Sequence, residues 1–152
     1  MNKKQQNHFL YEKENEGRVE LYLLAPGISI CFNQIYTGSW TKGDSSIFSE
    51  EMLILNFCLS GRCDVSLAGN RYAIVGEHQV CASTILPTKD FYYPGRKYEG
   101  IQIYVDLAVI REAKGRDFLS ELGIHADGIV ELFCGSDGLY LHRMSEAVFA
   151  LA

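Results

Sequence analysis

The stretch from Met52 to Asp106 constrains the fold more than any other part of the chain. It reads MLILNFCLSGRCDVSLAGNRYAIVGEHQVCASTILPTKDFYYPGRKYEGIQIYVD, with turn signals at Gly61-Arg62, Gly69-Asn70, Gly76-Glu77 and Pro94-Gly95. The apolar runs between those turns are too short for helices and rich in β-branched and aromatic side chains, so they read as strands. Many short strands closed by Gly-containing turns make an antiparallel barrel or sandwich.

Within this stretch Glu51 to Ser60 is the most apolar run. Leu53, Leu55, Phe57 and Leu59 share one face, and Met52, Ile54, Asn56 and Cys58 share the other. Two apolar faces predict a strand covered on both sides. Asn56 is then an amide inside an apolar strand and needs partners, either a structural hydrogen bond or a ligand. Cys63, Val65 and Leu67 alternate with Arg62, Asp64 and Ser66, then turn at Gly69-Asn70 into Arg71 to Val75, a hairpin. His78 to Ser83 and Gly100 to Val105 are the next strands, separated by a longer segment from Thr84 to Tyr98.

Upstream, Met1 to Glu16 reads as a flexible polar arm, or as one that docks Phe9, Leu10 and Tyr11 onto the domain. Arg18 to Leu24 and Ile28 to Tyr36 are strands around an Ala25-Pro26-Gly27 turn, with Ile28, Ile30 and Phe32 alternating against Ser29, Cys31 and Asn33. Thr37 to Ser49 reads as a loop carrying Trp40, the sole tryptophan, which either covers the core edge or lines a ligand mouth. Downstream of Asp106 the period shifts towards 3.6. Asp106 is the expected N-cap of a helix Leu107 to Lys114. Arg116 to Leu122 continues it, with Phe118, Leu119 and Leu122 on one face. A last helix is expected from near Asp137, with Leu141, Met144, Val148 and Leu151 as an a/d seam that packs on the barrel or forms a homodimer contact. The pattern runs to Ala152 with no stop signal, which leads to the expectation that the chain is cut from a longer protein. The expected organisation is thus an arm, 1–16; a barrel, 17–106; and a helical segment, 107–152.

Composition limits the function. The net charge of -5 leaves no basic surface for phosphates, so this chain is not expected to bind nucleic acid by itself. Five cysteines without CxxC spacing read as reduced core residues of a cytoplasmic protein. The N-terminus lacks a signal-peptide core, and no window approaches a membrane span.

The chemistry is sparse. Cupin-type barrels hold a metal with two histidines at i and i+2 on one strand, a nearby carboxylate and a third histidine; here Val80 stands two residues after His78. No metal and no cofactor is expected. Glu77 and His78, as neighbours on a strand, are expected to face opposite ways. No nucleophile motif or phosphate loop is present. The segment Phe91 to Glu99 combines aromatics with charges, as small-molecule sites do, or caps the barrel rim.

The run FCLSGRCDVSLAGNRYAIVGEHQV, followed by YYPGRKYEGIQIYVDL, resembles the N-terminal sensory domain of AraC-type transcription regulators. The resemblance covers about residues 17–152 and is strongest over 53–106. It implies a cupin-like double-stranded β-helix (a jelly-roll barrel) followed by two or three α-helices. It also implies a small-molecule effector such as a sugar, a homodimer, and DNA contact only through a separate helix-turn-helix half. Family members of this kind commonly lack the cupin metal ligands. On this reading Trp40, Asn56, Tyr92, Tyr98 and Glu99 are the candidate ligand contacts, Leu141, Met144, Val148 and Leu151 the candidate dimer interface, and the chain is not an enzyme. The alternatives are a small cupin enzyme, an isomerase or oxygenase, and a dimerisation module without ligand.

Overall fold

A computed structural model describes residues 6–40, 49–88 and 90–151. Its strands are β1 (His8–Lys13), β2 (Gly17–Ala25), β3 (Ile28–Ile35), β4 (Ser39–Trp40), β5 (Met52–Leu67), β6 (Arg71–Gly76), β7 (Gln79–Ser83), β8 (Phe91–Tyr92), β9 (Tyr98–Asp106) and β10 (Leu139–Arg143). The main sheet runs β1-β2-β3-β9-β5-β7-β10, and β6, β8 and β4 form the facing layer. All pairings are antiparallel. This is the cupin-like barrel with C-terminal helices expected from the sequence.

The barrel closes because β5 serves both layers. Its first half pairs with β9 and β7, and its second half with β6. The two halves meet at a register shift between Cys58 and Ser60, followed by Gly61 at φ +82°. A bulge and a glycine in the left-handed region bend a strand sharply, and here they turn β5 from one layer into the other.

Both faces of β5 are covered, as its pattern predicts. Cys58 joins Ile35, Cys63, Val75, Tyr93 and Tyr98 in the core between the layers. Leu53 packs outside the barrel with Ile28, Val105, Leu107 and Ile110. That outer cover comes from α1 (Leu107–Glu112), α2 (Phe118–Glu121), α3 (Ala126–Ile129) and one π-helical turn, Val130–Cys134. Asp106 caps α1 as expected, accepting from Val109 N at 3.2 Å. Asp117 caps α2, accepting from Ser120 N at 3.0 Å. Of the apolar face expected on α2, only Leu119 packs against the barrel; Phe118 and Leu122 are exposed.

The structure differs from the sequence expectations in several places. Residues 8–13 of the expected arm form β1, paired in unbroken register with β2, while 1–5 lie outside the described residues. Phe9 of that strand packs on the barrel interior. The loop expected over 37–49 contains the short β4, and its residues 41–48 are likewise outside the described set. On β3 the inward face is Cys31, Asn33 and Ile35, while Phe32 is exposed. His78 is not a strand residue but a turn residue at φ +65°, and the turn brings its Nε2 within 3.5 Å of Glu77 Oε1.

The expected last helix is also corrected. Leu139–Arg143 is a strand on the open edge of β7, and only Glu146–Leu151, α4, is helical. Leu141 therefore belongs to β10, Met144 is buried between the two elements, and Val148 and Leu151 project from α4 as exposed residues. No a/d seam forms. The run LYLHR also alternates with period two, and an unpaired strand edge offers its amides partners that a lone helix cannot.

Candidate functional site

Register places a row of inward side chains across the main sheet. Cys31 of β3 opposes Gln102 of β9, Gln102 opposes Asn56 of β5, and Asn56 opposes Cys81 of β7. Directly opposed residues share a face, so a thiol, two amides and a second thiol line one band of the interior. Tyr98 and Tyr104 of β9 point the same way, above and below.

The amides are held by their oxygens. Tyr98 Oη donates to Asn56 Oδ1 at 2.6 Å, and Tyr104 Oη donates to Gln102 Oε1 at 2.5 Å. Burial pushes both tyrosines well above the ordinary phenol range, so they remain donors at any physiological pH. No hydrogen bond to Asn56 Nδ2 or Gln102 Nε2 is made among the described residues, and both side chains line an interior cavity of about 30 Å³. The opposite wall, from the facing layer and its loops, is apolar: Val65, Leu67, Val75, Ile85 and Phe91. Nearby, Asn33 Nδ2 is fully buried without a partner, while its Oδ1 accepts from the Cys31 thiol at 3.5 Å.

A cavity of this size admits one water-sized molecule. A larger space lies next to it. A cleft of about 450 Å³ opens at the β2–β3 turn, lined by Leu23, Ser29, Met52, Asp106 and the same Tyr104. Tyr104 thus stands between the small cavity and a cleft within the usual size of ligand pockets.

The candidate contacts divide accordingly. Asn56 lines the cavity. Tyr98 is wholly buried beside it, a partner of Asn56 rather than a cavity wall, and stacks on Tyr93 with centroids 5.0 Å apart. Trp40 is buried in the inter-layer core, with Lys13 Nζ 4.5 Å above its ring. Tyr92 is exposed on β8. Glu99 borders a separate cleft on the outer sheet face, with Arg18 and Gln34. Gln102, Tyr104 and Tyr93 were not read as site residues. The signal for the first two was present: Gln102 and Tyr104 alternate with Ile101, Ile103 and Val105, and the helices turn that apolar face outward and the polar one inward.

All five cysteines are free and buried. Burial pushes Cys31, Cys58 and Cys81 up to about 12, and Cys63 higher still. These thiols stay protonated in the fold, whereas in the unfolded chain they ionise near pH 9. The unfolded state then holds fewer protons, so stability is intact below about pH 9 and is lost as pH rises towards 12. The melting temperature is expected to fall from pH 9 to pH 10.5, with Cys31 and Cys81 each costing about 1.4 kcal/mol at pH 10. A flat profile over that range would contradict the buried, protonated assignment.

Among the described residues no three His, Cys, Asp or Glu side chains form a metal-holding group. The inward row offers amides, hydroxyls and protonated thiols, a donor set that does not fit a divalent metal centre. No helix is long and apolar enough to cross a membrane.

No family model matches the sequence, and no curated protein does. Among solved structures the chain is similar to oxalate decarboxylase from Bacillus subtilis at pH 4.6, with TM-score 0.45 and 10% identity over 92% of this chain and 42% of that one. A structure from work on the Mn(II) centres of the same enzyme gives 0.47 and 10%, covering 96% and 43%. KdgF from Halomonas sp. gives 0.46 and 10%, covering 64% and 86%. The chain therefore spans less than half the length of the oxalate decarboxylase chains. These proteins share the cupin fold, and nothing in the comparisons extends the likeness to AraC-type regulators. The expectation that the chain is not an enzyme is corrected here: its fold neighbours include decarboxylases, and the exclusion of catalysis does not stand.

Proposed function

We propose that the barrel is a binding module for a small, mainly apolar molecule carrying a hydrogen-bond-accepting oxygen. The ligand enters from the cleft at the β2–β3 turn, passes the Tyr104 ring and presents its oxygen to the amide NH₂ groups of Asn56 and Gln102. The observation that carries this reading is the pair of inward amides that line the cavity with their oxygens held by tyrosines. A sugar fits poorly, because the wall opposite the amides offers no polar partner for a ring of hydroxyls.

The relay to a DNA-binding half is supported by the resemblance of residues 17–152 alone. The small cupin enzyme remains the competing reading of the same cavity. One screen addresses both. Carbonyl- and ether-bearing compounds of four to ten carbons are tested by thermal shift, and each hit is then followed by mass spectrometry for conversion. A ligand at 100 times its Kd stabilises by about 2.7 kcal/mol, a rise of about 5–10 °C for a chain of this length. Gln102→Leu is expected to abolish the shift. A shift that survives both Gln102→Leu and Asn56→Leu would remove the proposed site, and turnover of a hit would establish the enzyme.

A further inference from the structure

The outer edge of β1 is an open strand edge. Leu23 N donates to Asn7 O at 2.8 Å, continuing the register in which His8 opposes Tyr22. Main-chain bonding to β2 alternates from there, so Asn7, Phe9, Tyr11 and Lys13 bond to β2 and His8, Leu10 and Glu12 direct their N–H and C=O groups outward. Among the described residues no strand pairs with that edge. Among the described residues the hydrogen bond made to it is from the Gln6 side chain, whose Nε2 donates to His8 O at 2.9 Å. Edges of natural sheets are usually blunted by proline, a bulge or a mid-strand charge. β1 has no proline and no bulge, its charges Glu12 and Lys13 sit at its C-terminal end, and Leu10 and Tyr11 at its centre are 48% and 37% exposed.

We propose that this edge pairs with β1 of a second copy of the chain, about a two-fold axis at Leu10. The register follows from symmetry. A two-fold antiparallel pair must oppose i with j and j with i, and outward-bonding residues must meet outward-bonding residues. Only an axis at Leu10 gives His8, Leu10 and Glu12 all such partners. It then opposes His8 to Glu12 of the second copy, Leu10 to itself and Phe9 to Tyr11. An imidazole meets a carboxylate, two leucines meet on the outer face, and two aromatics meet on the inner one, while the open main-chain groups form about six hydrogen bonds. The other edge of the main sheet is not self-complementary: the same operation on β10, centred on Leu141, opposes Leu139 to Arg143 and Tyr140 to His142.

The test is sedimentation of the 152-residue chain from about 5 to 200 µM. The expected mass at the upper end is twice 17.1 kDa. Leu10→Lys places two ammonium groups at the axis and is expected to hold the chain at monomer mass, with its melting temperature within about 2 °C of the parent, as for an exposed substitution. Leu10→Cys is expected to give a disulfide-linked dimer on mild oxidation, since opposed residues of a bonded antiparallel pair lie about 5.5 Å apart at Cα, within disulfide range. Tyr11→Cys, opposed to Phe9, is expected not to. The native thiols are buried and do not compete. A monomer at 200 µM, a dimer indifferent to Leu10→Lys but broken by Leu151→Lys, or cross-linking by Tyr11→Cys rather than Leu10→Cys would each overturn the proposal.

Discussion

Gly61→Ala is expected to lower stability by about 3–5 kcal/mol, a fall in melting temperature of roughly 10 °C. The cost has two sources. Gly61 sits at φ +82°, where a side chain costs about 1–2 kcal/mol. Its added Cβ would also overlap the main-chain carbonyl of Lys97 and press on Tyr98 Cα at 3.2 Å. A carbonyl on the neighbouring strand cannot swing aside as a flexible side chain could, so β9 or the bend in β5 must shift. That bend joins the two layers, and the loss is expected to be cooperative rather than local. Gly38→Ala is the control: no described residue lies within 4 Å of its Cβ and its φ is not positive, so a change within about 0.5 kcal/mol is expected. Chemical denaturation of both variants measures the difference.

Tyr98→Ala is expected to be comparably severe, at about 4 kcal/mol or more. Tyr98 is wholly buried and stacks on Tyr93, so truncation leaves a cavity costing about 3–5 kcal/mol. It also strips Asn56 Oδ1 of its donor. Tyr98→Phe separates the two effects, because it keeps the ring and removes only the hydroxyl, for an expected loss of about 1–3 kcal/mol. Adding Asn56→Leu to Tyr98→Phe is expected to recover part of that loss, since two apolar partners leave nothing unpaired. If the double variant were less stable than the sum of the single changes, the hydrogen bond would not be what ties these residues together.

The β-rich core was legible because it rests on local signals. The turn pair at Gly69-Asn70 ended a run that alternates, and the two apolar faces of β5 announced cover on both sides; Gly61-Arg62, read as a turn that closes a strand, is instead a bend inside β5. What was not legible depended on which face the helices would choose. On β3 and β9 one face is the more apolar, with Ile28 and Ile30 on one strand and Ile103 and Val105 on the other. α1 and its neighbours claim part of that surface for the outside, and the mixed faces with Asn33 and Gln102 turn inward. Glu99 borders a cleft on the outer sheet face and Tyr92 is exposed, while their chain neighbours Tyr98 and Tyr93 are in the core. Leu141 was lost differently: five residues of LYLHR satisfy both periods, and only the free edge of β7 decides between them.

The central claim is that a ligand meets Asn56 and Gln102 inside the barrel. Side-chain amide resonances in a ¹⁵N-labelled chain test it most directly, with Asn56→Leu, Gln102→Leu and Gln34→Leu providing the assignments. On titration with a thermal-shift hit, the Asn56 and Gln102 amide pairs are predicted to move together while Gln34, on the outer sheet face, stays fixed. Movement of Gln34 with Asn56 and Gln102 unchanged would place the ligand in the outer cleft and contradict the account.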